Sequence, residues 1–267
     1  ARIRKAIALE PVDKIPVFSG GPAAHAAFAG VDLADYLEDM KLNCDVNLKM
    51  CQEFEVDGCQ AHIFSPDVFP RQWFSEVCTP GRDLPSRNEL WQVHEKEILQ
   101  QEDYDELLDI GYAAWQKKIL DTRFTDVEQR EKPFYDYAPV AMERFIEAGI
   151  PVIVGGIFES PFEVLCGGRS LMAFLMDDLL EIPEKLDDVF AEIHKTNMAS
   201  YEAMLQSPAK PLGVWVGGWR GTPTMMNREM FERFSWRYMK EIAQLCIKYD
   251  VIPIFHLDAD WTPGLDV

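Results

Sequence analysis

The residues best suited to chemistry lie in Val251–Trp261, V-I-P-I-F-H-L-D-A-D-W. Val251, Ile252, Ile254 and Phe255 form a short β-branched and aromatic run that reads as a buried strand. Beyond it, extended backbone puts His256, Asp258 and Asp260 on one side and Leu257 and Ala259 on the other. An imidazole and two carboxylates on one face suit a divalent metal or a proton-transfer site. The competing reading is a strand end with Asp260 or Thr262 capping the next helix. Glu159, just after an apolar run at 151–157, can serve as acid, base or metal ligand, or cap the helix at Pro161. His25 lies in the first loop, where it can contact a substrate. Arg220 is the cation nearest a strand end and suits a carboxylate, with a surface salt bridge as the alternative. Phe18, Phe64, Phe158, Trp215 and Trp219 lie at or near strand ends, where they either wall an apolar pocket or fill a core. His62 reads as a core histidine, and His94 and His194 as packing or surface residues on helices.

Five short apolar runs must position these side chains: 15–18, 59–64, 151–157, 212–216 and 251–255. Each ends in Gly, Ser or acidic residues. Helical periodicity separates them. A basic amphipathic helix spans 2–9, with Ile3, Ala6 and Ile7 inward. Asp32 caps a helix running to about residue 54, and further helices cover 103–121, 133–148, 183–205 and 227–249. Residues 68–92, rich in Pro, Arg and aromatics, read as an excursion containing a small hairpin, of the kind used as a lid. Strand–helix alternation predicts a parallel β/α architecture. No GxGxxG or Walker sequence follows the first strand, which disfavours a nucleotide-binding sheet. The expected fold is a single (β/α) barrel over residues 1–267, cut after its fifth strand, with active-site residues just past the C-terminal ends of the strands.

Composition narrows the partners. The 267-residue chain carries 26 Lys plus Arg against 45 Asp plus Glu, a net charge of −19. Phosphate binding needs clustered cations, so nucleic acid and anionic membrane surfaces are disfavoured. No apolar run is long enough to span a bilayer and no secretory signal is visible, so a cytoplasmic location is expected. The six cysteines include no CxxC pair, which argues for buried free thiols. The chain starts without Met, and Thr262-Pro263-Gly264 reads as a loop leading onward, so a fragment is expected.

Four stretches, in order, resemble the uroporphyrinogen decarboxylase superfamily. The opening R-I-R-K-A-I-A-L-E-P-V-D-K-I-P-V is similar to its basic helix, Glu-x-x-Asp turn and first strand. Ile63–Asp67 is similar to its second-strand end, and V-G-G-I-F-E-S-P-F to its third loop. Ile254–Asp258 sits where the family carries His-x-Cys. The resemblance implies a (β/α)8 TIM barrel of α/β class, with the last three units missing here. It places Asp67 where the decarboxylases have a catalytic aspartate; a helix or turn cap is the alternative. Those enzymes carry an arginine-rich first loop for a polycarboxylate, whereas this loop reads S-G-G-P-A-A-H. Decarboxylation is therefore disfavoured.

The other branch contains corrinoid-dependent methyltransferases, whose zinc sits on His-x-Cys and a later cysteine. His256 matches, and Asp258 stands in place of the cysteine. An oxygen- and nitrogen-rich site leaves zinc more Lewis acidic, suiting polarisation of an ether oxygen over delivery of a thiolate. The resemblance thus implies the methyltransferase component of an O-demethylase, moving methyl from a methoxylated aromatic or similar ether to the corrinoid (cobalamin) of a partner protein. In that reading His256 and Asp258 are metal ligands, and Asp260, Glu159 and Asp67 are catalytic. Phe18, His25, Phe64, Trp215, Trp219 and Arg220 hold the small-molecule donor. A homodimer is compatible with it. The alternatives are a decarboxylase-like lyase and a thiol (coenzyme M-type) methyltransferase.

Overall fold

The computed structural model describes residues 2–208 and 210–266. The fold is mixed α/β and mostly helical, and among the described residues its strands do not close into a barrel. No described helix is long and apolar enough to cross a membrane. The chain divides into two compact units: Ala1–Pro66, Thr79–Trp91 and Glu131–Val154 form one; Asp67–Cys78, Gln92–Arg130 and Gly155–Val267 form the other.

In the first unit, β1 (Phe18–Ser19) pairs in parallel with β2 (Gly58–Cys59). Cys59 bridges on to Val152, and the Val154 amide donates to the Gln60 carbonyl at 2.9 Å. Gly58 permits this close approach, since a Cβ there would lie 2.8 Å from the Pro151 carbonyl oxygen. The helix expected from Asp32 to about residue 54 is two helices, Leu33–Glu38 and Met40–Glu53. Asp39 causes the break: its backbone is extended, and its carboxylate accepts from the amides of Lys41 and Leu42, starting a new helix. Met40, Cys44, Leu48 and Cys51 pack on Ile63, Phe145 and Val152. Cys44 and Cys51 are free and buried, as expected of cysteines without a CxxC pair.

The first helix, Arg2–Ile7, departs from expectation. It buries no residue, and Ile7 is 56% exposed. Arg2, with an ion pair to Asp13 and another to Asp57, anchors it instead. The helix expected from Pro133 runs Val127–Glu147 through both Pro133 and Pro139. A proline removes one backbone bond without necessarily ending a helix whose apolar face is buried.

In the second unit, β5 (Ile157–Phe158), β6 (Gly213–Val216) and β7 (Ile252–Phe255) form a parallel sheet in that order. β3 (Glu76–Cys78) and β4 (Gln92–His94) make the expected hairpin, antiparallel. His94 is therefore on a strand, not a helix. The segment expected as one helix over 103–121 breaks at Gly111, whose φ of 80° suits glycine, into Asp103–Ile110 and Tyr112–Arg123. Pro183–Gln206 is continuous, and a helix from Arg228 to Lys248 contains one π-helical turn, Glu232–Trp236. Phe162, Phe174, Phe190, Phe234 and Tyr238 form the unit's aromatic core, while Val214 and Val216 of β6 share a second cluster with Met239 and Ile242. Arg169, buried between these elements, donates to both oxygens of Asp178, which also accepts from the Tyr104 hydroxyl at 2.6 Å.

Candidate active site

The register of the second unit's sheet builds the site. Phe158 pairs with Val216, and Val216 with Phe255. The next residue on each strand, Glu159, Gly217 and His256, therefore emerges at the same edge. Gly217 leaves room for its neighbour: a Cβ there would fall 1.9 Å from Oε2 of Glu159. The Glu159 carboxyl thus lies over the glycine that separates it from β7.

Glu159 is buried, and its Oε2 meets no hydrogen-bond donor. Burial and, secondarily, the nearby Glu163 push its pKa up to about 8, against a smaller opposing pull from the Trp73 indole. Tyr201 stacks on Phe158 with centroids 3.9 Å apart, and its hydroxyl bonds the Glu159 amide and carbonyl. Glu163, also buried, accepts from the Arg220 amide at 3.0 Å and the Gly221 amide at 2.9 Å. Burial raises its pKa to about 7 despite those amides and the Arg220 charge. Glu163 is occupied in holding the loop after β6; Glu159 keeps a buried oxygen that no donor bonds.

The same loop carries Trp219, against Trp73 at 5.2 Å, and Arg220, whose guanidinium lies 3.9 Å over the Trp219 ring. Arg220 also reaches Glu95 at 3.1 Å, so its charge is already paired. His256 and Asp258 do meet, with Nε2 and Oδ1 2.7 Å apart and both side chains nearly half exposed. The edge of Trp215 packs on His256 with centroids 4.3 Å apart. Asp260 does not join them. The strand ends at Phe255, the alternation ends with it, and Asp260 turns to accept from the Thr262 amide at 2.9 Å. Asp67 lies in a short 3-10 turn, Pro66–Val68, at the start of the second unit.

The other predicted residues belong to the first unit. Phe18 covers Gly58, and Phe64 packs on Trp91 with centroids 4.6 Å apart. His25 is buried, with Ser19 on one ring nitrogen and Asn47 on the other. Burial lowers the pKa of His62 to about 4, and its Nδ1 has no partner. Sequence reasoning missed Glu163, Trp73 and Tyr201. The one available signal was Glu163 itself, an acidic residue in the first turn of the helix Pro161–Arg169 that follows Glu159.

His256 and Asp258 offer a metal one nitrogen and one oxygen donor. Imidazole nitrogen and carboxylate oxygen both bind zinc at about 2.0–2.2 Å, which places tetrahedral neighbours about 3.4 Å apart. The observed pair needs to open by only a fraction of an ångström, and both side chains are exposed enough to do so. Among the described residues, no third His, Cys, Asp or Glu completes a metal-binding group. The pair fits zinc as two ligands of a set.

No protein-family profile and no curated protein matches the chain. A solved structure does. This chain shares its fold with a methyltransferase from Methanosarcina mazei, at a TM-score of 0.65 and 17% identity, covering 98% of this chain and 70% of that one. At that identity the likeness is one of fold.

Proposed function

We propose that this protein is a methyltransferase of the corrinoid-dependent kind within the uroporphyrinogen decarboxylase superfamily, built on the (β/α) barrel plan, with a methyl ether as donor. The observation that carries the reading is the alignment of Glu159, Gly217 and His256 at one sheet edge, in a fold shared with a methyltransferase. His256 and Asp258 would hold zinc, which when bound supplies Lewis acidity toward an ether oxygen. Glu159, Gly217 and His256 stand on adjacent strands, so a small donor seated at this end of the sheet would meet all three. Trp215 and Trp219 present apolar surface to it. A reduced corrinoid on a partner protein would supply the nucleophile that takes the methyl group, leaving the electron pair of the methyl–oxygen bond on oxygen. Glu159 keeps its proton below about pH 8 and delivers it to the departing oxygen, ending as carboxylate.

The test combines metal analysis with turnover. The protein should hold about one zinc per chain, lost in His256→Ala. Mixed with reduced corrinoid protein and a methoxylated aromatic, it should methylate the corrinoid, followed by absorbance. No methylation from any ether, amine or thiol would end the reading.

A further inference from the structure

A different group of residues, in the first unit, has the geometry of a nucleophile with its base. Ser19 closes β1, and its Oγ lies 2.7 Å from Nε2 of His25, while Nδ1 of His25 lies 2.8 Å from Oδ1 of Asn47. Which atom donates follows from the surrounding bonds. The Asn47 Nδ2 group lies 3.2 Å from the His62 carbonyl oxygen, which can only accept. Nδ2 must therefore face His62, and Oδ1 must face His25 and the Tyr36 hydroxyl, 2.9 Å away. Asn43 locks this orientation: its Oδ1 receives the second Nδ2 bond and the Phe64 amide, and its Nδ2 donates to the Tyr36 and Phe64 carbonyls.

An amide oxygen accepts only, so the neutral His25 carries its proton on Nδ1. The lone pair on Nε2 then points at Ser19, whose hydroxyl donates to it. This is the nucleophile–base–orienter order that activates a serine, with asparagine in the third place. Exposure is graded to match. His25 and Asn47 are buried at 5% and 3%, whereas Ser19 is partly exposed and the following Gly20 is exposed. A Cβ at Gly20 would lie 2.3 Å from the Gln60 side-chain oxygen, so the Gln60 amide sits directly beside the serine. An amide there can serve an oxyanion once its N–H group turns inward.

We propose that Ser19, His25 and Asn47 form a second catalytic site, an acyl-transfer relay whose substrate is a small carboxylic ester. Ser19 Oγ bonds to the ester carbonyl carbon as its proton passes to Nε2 of His25. The carbon–alkoxide bond then breaks, and the proton goes to the departing alcohol. Water, deprotonated by the same nitrogen, releases the acid and restores the serine. His25 touches both reacting protons, and Asn47 acts through it as a positioning residue.

The experiment uses the purified full chain without metal or corrinoid, so its result is independent of methyl transfer. A fluorophosphonate probe should add once per chain, on the peptide containing Ser19, and p-nitrophenyl acetate should be hydrolysed. Ser19→Ala should abolish both. His25→Gln, which keeps a hydrogen-bonding side chain but removes the base, should slow labelling about 100-fold or more. Absence of an adduct on Ser19, or equal labelling rates in His25→Gln and wild type with both folded by circular dichroism, would overturn the assignment.

Discussion

In the first unit Asn47 bonds four neighbours, His25, Tyr36, Asn43 and His62, and a buried polar cluster closes on itself. In the second unit Glu159 is as deeply buried, yet one of its oxygens meets no donor. A closed network stabilises the fold and fixes tautomers; an open carboxyl costs stability and keeps a proton available. The two regions therefore respond to mutation with opposite signs.

Breaking the closed side should give the largest effect. Asn47→Leu strands the His25 ring nitrogen, the Tyr36 hydroxyl and the His62 carbonyl, and should cost about 3 kcal/mol or more in urea unfolding. The open side should show itself in the pH dependence. Glu159 titrates at about 8 in the fold against 4.5 as a free side chain. The folded state thus retains a proton that the unfolded chain releases. Its contribution to stability is full below pH 4.5 and is lost as pH rises through about 8. Glu159→Gln should flatten that decline, gaining on the order of a few kcal/mol at pH 9 and almost nothing at pH 4. Equal pH profiles for variant and wild type would contradict the open carboxyl. A smaller effect sharpens the geometry. Gly217→Ala drives a methyl group into Glu159 and should cost about 1–3 kcal/mol. In a Glu159→Ala background most of that cost should vanish, and an additive double mutant would place the carboxyl elsewhere.

The strands at 212–216 and 251–255 were legible because buried apolar runs leave a local trace, whereas the runs at 15–18, 59–64 and 151–157 meet their strands only at Phe18, Cys59 and Ile157. Ile15 and Val17 read as strand but are 80% and 55% exposed, since pairing begins only at Phe18. The exposed face of Arg2–Ile7 was misread because an amphipathic pattern says which residues can be buried, not whether anything covers them. His256 and Asp258 meet, and Asp260 departs, in the loop past Phe255, where β7 has stopped pairing and strand alternation no longer decides which side chains share a side.

Local chemistry in the sequence determined what kinds of residue stand at the strand ends: a carboxylate after β5, glycines after β6, an imidazole and a carboxylate after β7. Their roles depended on long-range register and burial. Glu163 is spent on the amides of Arg220 and Gly221, 57 and 58 residues away, and Glu159 lies over Gly217 because three parallel strands end level. The Ser19 relay was likewise invisible, although all its members were in plain view. A hydrogen bond is set by the position of both partners, and His25 and Asn47 are 22 residues apart in the chain. The tertiary structure alone brings those atoms within 3 Å.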